Sequence, residues 1–182
     1  MKTESRSRVR AVLDRLQRLN ASEDWADDLN PAQRSALGYL VRANRFSRSP
    51  SQVADYLCTT RGTASQTLKA LEKKGLIERS ASDDDKRTIS YDVTQAGFDA
   101  ADRVDSLDEA LERLDTESGV RLEETLSELI RNQLAARGFR SFGLCKTCKY
   151  HRPDKSGLYC TLLQVDLSPE QAGQLCHEHS AA

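Results

Sequence analysis

The chain has 182 residues, 38% hydrophobic and 30% charged, with a formal net charge of −1. That length suits one ordinary domain plus a small appendage, and no apolar run reaches the roughly 20 residues needed to span a bilayer. The opening MKTESRSRVR has no apolar stretch leading into a small-residue cleavage site, so a cytoplasmic protein without a membrane partner is expected.

A first helix is read from about Arg6 to Leu19, where Val9, Val12, Leu13, Leu16 and Leu19 form a stripe of 3.6 period. Such a helix must bury its stripe on another helix, from this chain or a second one. Asn30-Pro31-Ala32-Gln33 starts the next helix: Asn caps, Pro takes N1, and Gln at N3 reaches back as in a capping box. The device recurs at Ser49-Pro50-Ser51-Gln52. Thr60 caps a third helix from Arg61 to about Lys74, stopped by Gly75 at C′. The period then changes. Leu76 to Arg79 reads as a strand, and Ile89, Tyr91 and Val93 alternate with polar residues in a second, half-buried strand. Between them Ser80 to Lys86 forms a polar hairpin tip. Three short helices followed by a hairpin is the order of a winged helix-turn-helix.

Thr94 caps the next helix, in which Phe98, Ala101, Val104, Leu107, Leu111 and Leu114 keep near-heptad spacing. Another starts at Asp115 or Thr116, carries Leu122, Leu126, Leu129, Ile130 and Leu134, and ends at Gly138. These stripes suit packing between subunits, with packing on their own domain as the alternative. The expected fold is therefore mainly α with a small β-wing. It comprises an N-terminal dimerisation helix in 1–29, a winged helix-turn-helix in 30–98, dimerisation helices in 99–138 and a metal-stapled, cysteine-rich extension in 139–182.

Charge follows the same division. Asn30 to Phe98 holds 11 Lys/Arg against 7 Asp/Glu, whereas Asp99 to Arg137 holds 5 against 11. A basic middle beside an acidic helical stretch suggests a local nucleic-acid footprint, with solvated helix faces as the plainer reading.

Three runs carry a specific resemblance: Leu71-Glu72-Lys73-Lys74-Gly75-Leu76-Ile77-Glu78-Arg79, then Asp84-Asp85-Lys86-Arg87, then Val93-Thr94-Gln95-Ala96-Gly97. Residues 30–98 resemble the MarR family of transcriptional regulators, and the likeness extends over roughly residues 5–137. The resemblance implies a recognition helix running into the wing, an Asp-x-Arg wing signature and a turn into a long dimerisation helix. It further implies a homodimer on a near-palindromic site of double-stranded DNA, acting as a repressor released by a ligand or an oxidant.

The residues agree with that assignment. Arg61, Thr63, Ser65, Gln66 and Lys69 lie on the outer face of the third helix near its start. Arg pairs bidentately with guanine, and Gln does the same with adenine. Thr60 and the helix N-terminus can hold a phosphate. Lys86 and Arg87 lie at the wing, where the resemblance implies that Arg87 enters the minor groove. A salt bridge to Asp83 or Asp85 is the alternative role. Gly62 departs from the pattern and lowers helix propensity by about 1 kcal/mol relative to Ala.

Four of the five cysteines fall at the end. Cys145-Lys146-Thr147-Cys148 is followed after eleven residues by Cys160 and after fifteen more by Cys176. A Cys-x-x-Cys pair brings two thiolates to one metal from a single tight turn, and the other two complete four ligands. Large apolar residues are few there, so a metal would supply much of the folding free energy. Zinc and an iron–sulfur cluster both suit four cysteines, and reversible disulfides are the third reading. His151, His177 and His179 are substitute ligands. Cys58 reads as a small buried apolar residue.

No Ser/His/Asp arrangement, phosphate-binding glycine loop or His-Glu-x-x-His stands out, so an enzyme is not expected. The reading is a sequence-specific DNA-binding regulator whose metal centre senses redox state or metal supply. Its alternative is the same regulator with a purely structural zinc and a separate small-molecule effector. A winged helix used only to bind proteins is opposed by Arg61, Gln66, Lys69 and Arg87.

Overall fold

The computed structural model describes residues 3–23, 28–81, 89–102, 105–138, 142–154 and 157–181. Helix α1 spans Thr3–Glu23. Helix α2, Pro31–Arg42, starts on the capping box read from the sequence, with Gln33 N–H donating to Asn30 Oδ1 at 2.9 Å. A 3-10 turn at Arg45–Ser47 leads to α3, Pro50–Tyr56, whose Ser49 cap repeats the device. Helix α4 spans Arg61–Lys73. It ends where Gly75 takes φ 72°, with Gly75 N–H bonded to Glu72 O and Leu76 N–H to Leu71 O. That paired closure satisfies the last carbonyls and turns the chain into the hairpin.

Strands β1, Ile77–Ala81, and β2, Ile89–Val93, pair antiparallel with Ile77 opposite Val93 and Ala81 opposite Ile89. Leu37, Leu40, Val53, Leu68, Leu71 and Ile77 meet in one buried core beneath this hairpin. The alternation placed Ile89 inward, but it is 43% exposed, whereas Ser90 and Tyr91 are buried. Ile89 stands at the end of the ladder away from the helices, beyond the core's reach. The hairpin tip, with Lys86 and Arg87, lies outside the described residues.

The near-heptad run after Thr94 is two helices. Helix α5 covers Gln95–Ala101 and α6 covers Ser106–Glu112, where Asp105 and Asp108 form a fresh capping box. Val104 lies outside the described residues. Helix α7, Thr116–Arg137, starts on Asp115 and ends on Gly138 in the left-handed region. At the base of the wing, α5 crosses so closely that a Cβ on Gly97 would collide with the Leu76 carbonyl oxygen and stand 2.7 Å from Val93 Cγ1. Gly97→Ala is expected to cost about 3 kcal/mol by overpacking, read as a lower midpoint in chemical denaturation.

The cysteine-rich segment folds on short strands. Strand β3, Gly143–Leu144, pairs with β7, Leu175–Cys176. Strands β4, His151–Asp154, β5, Gly157–Cys160, and β6, Val165–Leu167, form a three-stranded antiparallel sheet. Helix α8 is a single turn, Pro169–Ala172, which stops short of Cys176 because Gly173 closes it. This segment docks on the winged helix: Phe142 sets its ring edge-on to Tyr39 at 5.8 Å and to Tyr56 at 5.1 Å.

Candidate DNA-reading helix and cysteine centre

Helix α4 sits on the core through Ala64, Leu68 and Leu71, all fully buried. Its opposite face presents Arg61, Thr63, Gln66 and Lys69 to solvent, with Ser65 half-buried. Thr60 Oγ1 accepts from Thr63 N–H at 3.2 Å, and the two hydroxyls pair at 2.9 Å. Thr60 and Thr63 thus fix the helix start, leaving Arg61, Gln66 and Lys69 as its long exposed donors. A Cβ on Gly62 would meet only Thr60 Oγ1, at 3.8 Å, so the chain's own packing does not demand glycine there.

Sequence reasoning missed Arg48. Its guanidinium donates to Ala43 O and to Asp92 Oδ1, both at 3.0 Å, and so braces strand β2 of the wing against the turn before α3. Nothing in local spacing pairs Arg48 with a residue 44 positions on. Cys58 is also corrected. It is exposed, at φ 51°, in the turn between α3 and α4. The turn must reverse the chain within three residues, and Cys58 takes the left-handed step that does so.

Cys145, Cys148, Cys160 and Cys176 are all buried, and none is in a disulfide. Cys145 opens a 3-10 turn, Cys145–Thr147, and Cys148 N–H closes back onto Cys145 O at 3.0 Å. Cys160 ends β5, and Cys176 ends β7. Burial, and then the charges of Cys176, Cys160 and Cys148, push the Cys145 thiol up to about 11. Cys145, Cys160 and Cys176 share one buried cluster. Burial also raises the Cys176 thiol, while hydrogen bonds from Asn44, the Glu178 backbone and Ser47 pull it back. Ser180 N–H donates to Cys148 Sγ at 3.4 Å. Among the described residues, no three His, Cys, Asp or Glu side chains stand as they are in an arrangement that would hold a metal ion.

The histidines differ in their ties. His179 Nε2 pairs with the Thr147 hydroxyl at 3.0 Å, and burial lowers its pKa. Its ring lies 2.6 Å from where a Cβ on Gly143 would stand, so glycine allows that approach. His177 contacts Asp55 through Nε2 at 3.1 Å and Glu178 through Nδ1 at 3.2 Å. His151, opposite Cys160 in the sheet, has a buried Nε2 with no partner among the described residues.

Three helices, a two-stranded wing and an exposed capped helix define a winged-helix protein. Residues 27–88 match the model described as the MarR family. The chain is similar in fold to MepR from S. aureus in its DNA complex, at 22% identity and TM-score 0.53, covering 73% of this chain and 99% of that one. FabT from Streptococcus pneumoniae in complex with DNA is similar at 19% identity and TM-score 0.53, covering 73% and 97%. No curated protein matches the chain by sequence. No helix among the described residues is long and apolar enough to cross a membrane.

Proposed function

We propose that this chain is a cytoplasmic MarR-family transcriptional regulator, probing double-stranded DNA as a homodimer on a near-palindromic operator and acting as a repressor. The observation that carries this reading is helix α4: one face locked into the core, the other offering Arg61, Gln66 and Lys69 from a capped start. Arg61 and Gln66 are the base readers. Lys69 and the helix start meet phosphate. The DNA complexes of MepR and FabT support the docking mode by fold.

Titrating the full chain against DNA selected from a random-sequence pool tests it. Arg61→Ala is expected to cost roughly 10-fold or more in affinity and to relax preference at one base pair. Lys69→Ala is expected to weaken all sequences alike and to shallow the salt dependence by about one ion. Parent-like binding by both variants would sink the assignment.

The four cysteines are the ligands of a metal centre in this reading. Their chemistry fits: the four thiols are buried and unbridged, and soft, buried thiol sulfurs are the ligands that zinc and iron–sulfur clusters take. The Ser180 N–H donated to Cys148 Sγ is a contact that suits a ligand sulfur. A bound zinc or iron–sulfur cluster would neutralise the four thiolates and staple the module, with redox state or metal supply as the signal it reads. A second reading keeps the metal structural and gives the signal to a small-molecule effector. It is favoured by a half-open cavity of about 290 Å³ lined by Val41, Gln95, Phe98, Asp99 and Asp102. Its apolar wall and two carboxylates suit a small cationic compound.

A further inference from the structure

The environment of the Cys176 sulfur is completed by residues far upstream. Asn44 and Ser47, each 1% exposed, hold the chain on either side of Cys176 from the connector between α2 and α3. The Ser47 hydroxyl accepts from His177 N–H at 2.9 Å. Asn44 N–H donates to Leu175 O at 2.9 Å, and Ala43 bridges Leu175 in parallel. Phe46 packs into the buried cluster of Cys145, Cys160 and Cys176.

The same connector is tied to the DNA-reading side. Tyr39 Oη donates to Ser47 O at 2.5 Å, and Gln52 Nε2 of α3 donates to Phe46 O at 2.9 Å. Arg48 links it to Asp92 on the wing strand at 3.0 Å. His177 reaches past it to Asp55 on α3 at 3.1 Å. Residues 43–49 therefore touch the cysteine module on one side, and α2, α3 and the wing on the other.

Residues that hold the chain on both sides of a ligand side chain are themselves held when that ligand binds. We propose that Asn44 and Ser47 are positioning residues of the four-cysteine centre, so that filling the centre and fixing the α2–α3 connector are one event, coupled to DNA affinity. This rests on the reading of the four cysteines as metal ligands. The coupling is reciprocal: loading tightens DNA binding, and DNA tightens metal binding by the same factor.

The test uses the reduced full chain, stripped with a chelator and then titrated with Zn²⁺ alone, with DNA affinity and backbone hydrogen exchange read in both states. The parent is expected to take up about one zinc on four cysteines, to bind DNA on the order of 10-fold more tightly when loaded, and to slow exchange at Asn44 and His177. Ser47→Ala is expected to keep zinc while its loaded-to-stripped affinity ratio falls towards about one. Asp55→Ala, at a side chain 51% exposed and thus tolerant of truncation, is expected to lower the ratio severalfold and carries the test should Ser47→Ala fold poorly. A parent that takes up no zinc overturns the metal reading and this inference together. Zinc uptake with unchanged DNA affinity and exchange overturns the inference alone. So does a parent-like ratio in the folded variants.

Discussion

Replacing Cys160 with serine is expected to unfold residues 142–181 while the winged helix keeps its structure. The module has little else to hold it. Among the described residues its buried ones besides the cysteines are Leu167, Ala172 and His177, and its strands are two to four residues long. An apolar core that small cannot offset the ordering of its backbone, at about 1–2 kcal/mol per residue. Apparent binding free energies for structural zinc sites are about 10–16 kcal/mol, so on the proposed metal centre losing one of four thiolates would remove the dominant favourable contribution. Limited proteolysis should then cut within residues 142–181 and stop near Gly138. A chelator should do the same to the parent, in a reducing buffer. Cys58→Ser is the control. Cys58 is exposed in the helix-turn-helix and apart from the cluster, so proteolysis should not change. A Cys160→Ser protein as resistant as the parent would mean that packing alone holds the module.

The elements legible in the sequence were those specified within four residues. Asn30 with Gln33 and Ser49 with Gln52 each form the box that their spacing announces. The Cys-x-x-Cys turn is local in the same way. Other features were not legible, because their causes are distant or compete. A heptad count carried the helix after Thr94 through to Leu114, but Asp105 and Asp108 offer a cap that ends one helix and starts another. Cys58 reads as a small buried apolar residue, yet the chain must turn there and leaves it exposed. The docking of the tail rests on Ser47 with His177, 130 positions apart, and Asp55 with His177, 122 apart. No periodicity links such residues. The reach of Arg48 to Asp92 is hidden for the same reason.

Ile130→Glu is expected to turn a dimer into monomers and to cost DNA affinity roughly 100-fold or more. Helix α7 is 22 residues long with none buried, and α6 also buries none among the described residues. On α7, Val120 is 50% exposed, Leu129 45% and Ile130 55%; on α1, Val12 is 66% exposed and Leu19 46%. A single helix of such length is marginal in water, and most helical stability comes from packing an apolar face. Among the described residues that packing is not provided for these stripes, which argues against the reading in which they fold onto their own domain. A second copy offers the same stripes by symmetry. In a two-fold interface each substitution enters twice, so Ile130→Glu places two carboxylates where apolar surface should meet. The dependence on DNA follows from geometry, because two recognition helices must lie about one helical turn apart to read both half-sites at once. Light scattering across a concentration series checks the mass, and the anisotropy titration checks the affinity. A variant that stays dimeric with parent affinity would place the interface elsewhere. A monomer that keeps parent affinity would show that one recognition helix suffices, and would remove the reason for a near-palindromic site.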